Sequence, residues 1–570
     1  MSHPPAPAGA PDTADATATT AADDAAAGTV TAAGAVTGAG TVTAAGTGRR
    51  RRWPPRAVPT LPAVPTLPAV TVALAAIFAV GVWAAWWFTI DDAFITFRYS
   101  ANLAGGHGPV WNVGEDPVEG FTNFAWMLWH AAFAAAGLDL PTAAKVTSLV
   151  FGAATLAMLV RHAHRAAPAA ALLAGGAFVL FLPIYWHLTG GLETVAFAAV
   201  VLRAAVVGLR ALRSEPVPGW EPPLLLVVAG MLRPEGVLAV LPAFLVWLWL
   251  DRRRGPQPWL WTAAAAVAGG GYFAWRWSYY GHAFPNTFYV KFGDVDAGVR
   301  WLERTGFALL PLLALTATLL LRRASRAAGL LLSTTVAATY ATYALSGPSM
   351  DYVHRFAMHA FPVLCLGAAL ALAPIAGHRW ASAGVLAAAL GWTAVAGATT
   401  ADLPVIATYG PDLQRAHVAI GRGLADAEVP EQARTLAVSD AGAIPYYSGW
   451  TSIDYVGLND EAIAHGADPT AIVRRADPTV LVVTGHGPGG PPDDRYGLHV
   501  PAVIGAYQPV AAVQMRDGYW QFVYAKPAWA AEVGRAVAAS VRPAQQANDP
   551  GRYELSLHRW LDRLRSQLTR

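Results

Sequence analysis

Between about residues 70 and 400 the chain runs through one apolar stretch of roughly 20 residues after another. A cluster of basic residues abuts almost every one of them. Hydrocarbon about 30 Å thick takes about 20 helical residues to cross. Backbone polar groups inside it must be satisfied within the segment, so these runs read as membrane-spanning helices. Composition agrees, with 14% charged residues, 55% hydrophobic residues and 22 tryptophans, where a soluble domain carries about a quarter charged. The net charge of +3 is too small to indicate a nucleic-acid partner. The single cysteine, Cys365, rules out a disulfide framework or a cysteine metal site within one chain. No cleavable signal peptide is evident, because the first apolar segment lies far from Met1.

The basic clusters set the expected topology. They are Arg49–Arg52, Arg161 to Arg165 with two histidines, Arg210 with Arg213, Arg252–Arg254, Arg322 and Arg323 with Arg326, and His378-Arg379. Basic residues beside an apolar run mark cytoplasmic loops. Placing all of them inside gives spans near 70–89, 144–160, 168–187, 191–209, 258–278, 304–321, 327–346, 356–376 and 380–397. The segment 222–250 is interrupted by Arg233-Pro234-Glu235-Gly236 and reads as two short helices or one broken one. The expectation is an α-helical polytopic membrane protein of the plasma membrane, of about ten or eleven spans, with its N-terminus cytoplasmic. The apolar helix 121–136 is juxtamembrane or re-entrant on this topology.

Three regions follow. Residues 1–69 read as a disordered cytoplasmic tail of Ala, Thr and Gly joined to a proline-rich linker. Residues 70–399 form the transmembrane domain, with a long first outer loop over 91–143. Residues 400–570 lack long apolar runs and form an extracytoplasmic soluble α/β domain. Strands are expected at 435–438, 480–483 and 520–524, and an amphipathic helix near 553–566.

The outer loop opens on two adjacent carboxylates, Asp91-Asp92, at the membrane–water boundary. Ionisable groups there are costly unless wet or paired, which points to function. The plainer alternative is helix capping. The loop continues with an Arg98-Tyr99-to-Asn102-Leu103 helix, Gly106-His107-Gly108, and Val118-Glu119-Gly120-Phe121-Thr122-Asn123. Later come Gly191-Leu192-Glu193-Thr194, Arg233-Pro234-Glu235-Gly236, Tyr279-Tyr280-Gly281, Pro285-Asn286-Thr287-Phe288-Tyr289-Val290-Lys291 and Asp440-Ala441-Gly442-Ala443-Ile444-Pro445-Tyr446. In this order the set resembles the polyprenyl-phosphate-dependent GT-C glycosyltransferases. Within them it is most similar to the terminal arabinofuranosyltransferases of mycolate-containing actinobacteria. The resemblance covers roughly 70 to 460. It departs at 347–355, where Gly347-Pro348-Ser349-Met350-Asp351 and Arg355 stand in place of a Gly-Gly-Asp followed by an arginine.

The resemblance implies a GT-C-like fold and transfer of a sugar from a polyprenyl-phosphate-linked donor to an extracytoplasmic cell-wall polysaccharide. The sugar it implies is arabinofuranose, and the acceptor is the arabinan of arabinogalactan or lipoarabinomannan. Mannosyl or other hexosyl transfer is the nearest alternative. A lipid-linked-sugar transporter or a non-catalytic assembly protein is the alternative of another class. Asp91 and Asp92 are the expected catalytic carboxylates, Asp91 first as the family's leading acidic position. A carboxylate can take the acceptor's proton or stabilise the developing oxocarbenium charge. Arg98, Arg233, His282, Lys291 and Arg355 are expected to bind the donor phosphate, a role that suits arginine. The other reading of Arg98 is an ion pair with Asp91 or Glu119, and of Arg233 a mutual neutralisation with Glu235. His107, Glu119, Asn123, Asn286, Asp440 and Tyr446 are expected toward sugar or acceptor. Glu193 reads as a structural anion at a helix N-terminus. The sequence points to no certain cofactor, and a divalent cation on one of the two aspartates stays open.

Overall fold

The computed structural model describes residues 67–547. The N-terminal tail, most of the proline-rich linker and the helix expected near 553–566 lie outside the described residues. Helix Thr194–Leu212 lies at the centre of the bundle, with sixteen of its 19 residues buried. It is a run of small and β-branched side chains, so neighbours approach closely. A Cβ on Gly208 would meet Leu331 and Ala243, which belong to two of the helices packed on it. Helix Leu67–Ala85 is equally apolar but buries only four residues and lies at the bundle's edge.

Among the described residues, five helices are long and apolar enough to cross a membrane: Leu67–Ala85, Leu140–His164, Thr194–Leu212, Arg326–Ser346 and Arg379–Ala398. Two bent pairs, Val295–Ala308 with Leu310–Leu321 at 78° and Tyr352–His359 with Phe361–Ile375 at 63°, raise the number to seven. The chain is a multi-pass membrane protein. Several other runs expected as spans break where proline interrupts them. The run 168–187 divides at Phe181-Leu182-Pro183 into Pro168–Leu180 and Ile184–Thr189. The segment 222–250 is two helices, Glu221–Leu232 and Gly236–Asp251, parted by Arg233-Pro234-Glu235. The run 121–136 gives a helix of 12 residues, Phe124–Ala135.

The C-terminal region builds one five-stranded sheet: β1 (Thr435–Val438), β2 (Thr451–Asp454), β3 (Val480–Gly485), β4 (Gln508–Arg516) and β5 (Tyr519–Ala525), in the order β2-β1-β3-β5-β4. β1 pairs in parallel with β2 and β3, and β5 runs antiparallel to β3 and β4. Strands appear at all three expected places. β2 and β4 were not legible, because Thr-Ser-Ile-Asp is too short and β4 mixes polar and apolar residues over both faces.

The segment 91–143 is stitched to this sheet by buried polar groups. The Arg98 guanidinium donates to the carbonyls of Trp111 (2.8 Å), Pro445 (2.6 Å) and Trp450 (2.8 Å) and to Asn112 Oδ1 (2.9 Å). Trp111 Nε1 donates to the Ser452 carbonyl at 2.9 Å. Asp91 accepts from the backbone N–H groups of Gly442 (3.1 Å) and Ala443 (2.8 Å). Beside it Asp440 accepts from Tyr519 Oη (2.8 Å) and Gln521 Nε2 and lies 2.8 Å from His417 Nε2. Burial pushes the Asp91 carboxyl up to about 6, opposed mainly by His417. Burial also disfavours charge on Asp440 and His417, but their mutual hydrogen bond outweighs it. The carboxyl is therefore held below its ordinary range and the imidazole above.

Two outcomes follow for stability. Arg98→Ala removes four buried charge-assisted hydrogen bonds between the loop and the sheet region and should cost about 3–5 kcal/mol, read as a lowered apparent Tm of the detergent-solubilised protein. Asp91 binds its proton more tightly folded than unfolded, so its contribution is greatest at low pH and is lost as pH rises from about 4 to about 6. Between pH 7 and pH 5 the wild type should gain about 1 kcal/mol from this group. Melting curves of Asp91→Asn should lack that part of the slope.

Candidate active site

Helix Asp91–Ala104 begins with two carboxylates, and successive residues on a helix point about 100° apart. Asp91 turns to the sheet domain, whereas Asp92 turns into a cavity of about 520 Å³. Its charged lining is Asp92, Glu193, Arg233, Glu235, Lys291 and Arg355. Much of the remaining wall is apolar and includes Phe284, Phe288, Phe292 and Phe356. Phe288 stacks on Phe284 with centroids 4.4 Å apart and on Phe292 at 4.5 Å.

Glu193 is the hub. It is 1% exposed, precedes helix Thr194–Leu212 and holds three partners. Oε1 lies 2.5 Å from Arg233 Nη1 and 3.7 Å from Arg355 Nη2, and Oε2 accepts from Asn123 Nδ2 at 2.7 Å. Arg233 also donates through Nε to Glu235 Oε1 at 2.5 Å, so two carboxylates neutralise it. Tyr343 donates to the same Glu235 oxygen at 2.8 Å. Arg355 is held less tightly. Its Nη1 stands 3.9 Å from Asp92 Oδ2, and its buried Nε has no partner among the described residues. Lys291, which ends helix Asn286–Lys291, has no hydrogen-bond or ion-pair partner there either. Burial holds its ammonium below the ordinary lysine range, with Asp92 opposing. The cavity thus sets one carboxylate beside two cations able to take an incoming anion.

The expected site residues divide between the cavity and its supports. Asp92, Arg233, Lys291, Arg355 and Asn123 line it. Asp91 and Asp440 lie in the seam with the sheet, and Tyr446 packs its ring on Phe94 and Phe97. Arg98 does not reach the cavity, and neither Asp91 nor Glu119 is its ion-pair partner. Its bonds go to backbone carbonyls and Asn112, because its helix face is turned to the sheet. Glu119 is paired with Arg276, Nε to Oε1 at 2.7 Å, and its carbonyl accepts from the Asn286 N–H at 3.0 Å. Asn286 is buried behind the cavity wall. His282 contacts Glu461 at 2.5 Å and stacks on His465 at 4.3 Å, outside the cavity. His107 is exposed in its glycine-rich turn. No three His, Cys, Asp or Glu side chains converge as a metal site among the described residues.

Sequence reasoning missed Glu193, Glu235 and Tyr343 as cavity groups. An available signal was charge balance, since two membrane-depth arginines need a buried anion and Glu193 opens an apolar run of spanning length.

A protein family described as a domain of unknown function, DUF8728, matches residues 407–530, which hold the sheet. Over 251 residues the chain is 30% identical to the terminal beta-(1->2)-arabinofuranosyltransferase of Mycobacterium tuberculosis, aligned over 40% of this chain and 38% of that protein. The chain therefore spans well under half the length of this curated relative. ArnT from Cupriavidus metallidurans, in a crystal structure bound to undecaprenyl phosphate, superposes with a TM-score of 0.53 at 15% identity, over 81% of this chain and 98% of ArnT. Its apo state gives 0.52 at 14% identity, over 80% and 98%. At that identity the likeness is one of fold. The chain shares the fold of these two ArnT structures.

Proposed function

We propose that the protein is a membrane glycosyltransferase that moves a sugar from a polyprenyl-phosphate donor to an extracytoplasmic cell-wall glycan. The observation that carries this reading is the company Asp92 keeps. A carboxylate lies beside Arg355 and Lys291 in a cavity walled largely by apolar and aromatic side chains. A polyprenyl phosphate needs both halves of that environment, cations for its phosphate and apolar surface for its chain. The undecaprenyl phosphate bound to ArnT supports a donor of this class. The likeness to a terminal arabinofuranosyltransferase supports arabinofuranose as the sugar and arabinan as the acceptor. The basic loops support a cytoplasmic N-terminus and an outer sheet domain.

In this reading Asp92 accepts the proton of the acceptor hydroxyl as its oxygen bonds to the sugar's anomeric carbon. The bond from that carbon to the phosphate oxygen breaks, and the polyprenyl phosphate leaves with the electron pair. Arg355 and Lys291 take up the charge gathering on the phosphate, which stabilises the transition state more than the neutralised Arg233 can. Glu193 keeps Arg355 and Arg233 charged and in place. Asp91 fixes the backbone from which Asp92 projects.

The test is transfer by the purified full chain from labelled polyprenyl-phosphoryl arabinose, alongside the mannose and glucose donors. Asp92→Asn should lower kcat about 10²- to 10⁴-fold with donor KM little changed. Arg355→Ala and Lys291→Ala should raise donor KM. Full transfer by Asp92→Asn would overturn the catalytic assignment, and preference for a hexose donor would replace arabinose.

A further inference from the structure

The segment that delivers Arg355 to the cavity is strained. Met350, Val353 and His354 have positive φ angles of 66°, 39° and 57°, three non-glycine residues within five positions. Val353 is the most telling. It is β-branched, fully buried and left-handed, with ψ 50°. Such a residue is a genuine outlier, and the conformation persists only where its surroundings over-determine it.

Two side chains from other parts of the fold do the holding, one on each side of the Val353 peptide groups. The Val353 N–H donates to Asp402 Oδ2 at 2.7 Å. The Val353 carbonyl accepts from His187 Nε2 at 2.9 Å, which fixes the proton on that nitrogen. Asp402 stands at the N-cap of helix Leu403–Leu413, where a carboxylate ordinarily accepts from its own helix. It makes no such cap bond and serves Val353 instead. His187 is buried in the short helix Ile184–Thr189, and its Nδ1 has no partner among the described residues. Asp351 secures the far end by accepting from the Phe356 N–H at 2.9 Å. Arg355 follows two residues after Val353 and reaches Asp92 and Glu193 at 3.9 and 3.7 Å.

We propose that Asp402 and His187 are positioning residues that hold Val353 in its left-handed conformation and so aim Arg355 at the donor phosphate. The proposal rests on the reading of Arg355 as a phosphate contact. Neither residue touches the cavity, and neither was singled out by motif or resemblance.

The test measures donor KM in the transfer assay and binding of polyprenyl phosphate alone to the full chain by native mass spectrometry. Arg355→Ala serves as the reference. Removing a positioning group misplaces Arg355, so Asp402→Ala should weaken lipid-phosphate binding and raise donor KM about tenfold, with a smaller effect on kcat. Asp402→Asn keeps an acceptor for the Val353 N–H and should stay within about threefold of wild type. Glycine adopts φ > 0 without penalty, so Val353→Gly added to Asp402→Ala should restore most of the binding. A residue that merely capped its helix would show no such rescue. His187→Gln retains a donor and provides the second variant if Asp402→Ala yields no folded protein. His187→Ala should match Asp402→Ala. If Arg355→Ala weakens binding while Asp402→Ala and His187→Ala leave it unchanged, or if Val353→Gly fails to rescue, the positioning role is overturned and the phosphate contact stands. If Arg355→Ala binds lipid phosphate like wild type, the underlying reading falls first.

Discussion

The arrangement depends on the burial of the Glu193 carboxylate. An ion removed from water at this depth is tolerable only when paired and hydrogen-bonded, because the uncompensated penalty is several kcal/mol. Glu193 meets that requirement with groups from three distant stretches: Asn123 of the segment 91–143, Arg233 of the helix break and Arg355 of the strained segment. Those stretches are drawn to one point by the need to neutralise one charge. The cavity is the space left between them, and Asp92, which is not part of the neutral core of the network, faces into it.

Helix breaks and strain are concentrated here. The Arg233-Pro234-Glu235 interruption divides what composition suggests is one long apolar helix. It leaves backbone polar groups that only a protein-lined or wet setting can satisfy. The same cavity wall includes the segment with three left-handed side chains. Regular helices supply the scaffold together with Asp92 and Lys291, and the breaks bring Arg233 and Arg355 to the same cavity.

Much of this was legible in the sequence, because the membrane imposes strong rules. Apolar length and flanking arginines fixed the helical class, and proline with glycine marked the break at 233–236. Three strands were visible as β-branched and aromatic runs. Of the polar residues expected at the site, the cavity gathers Asp92, Asn123, Arg233, Lys291 and Arg355. The destinations of Arg98 and Glu119 were not readable. Each lies in a stretch of the right character, but its partners are far off in sequence: Pro445 and Trp450 lie 347 and 352 positions from Arg98, and Arg276 lies 157 positions from Glu119. The choice between Asp91 and Asp92 was beyond sequence for a similar reason. Adjacent identical side chains differ only in which neighbour each face meets. Tertiary packing places Gly442 so close to Asp91 that even a Cβ there would strike its carboxylate.

That adjacency also makes a mechanical connection. Asp91 is bonded to the backbone of the sheet domain, Asp92 faces the cavity, and one peptide bond joins them. A planar peptide unit is among the stiffest links a chain contains. A shift of the sheet at Gly442 and Ala443 would therefore reach the start of the helix that carries Asp92, with only a few torsions in between. The sheet domain, which among the described residues gives the cavity lining no charged group, still bears on where the Asp92 carboxylate sits.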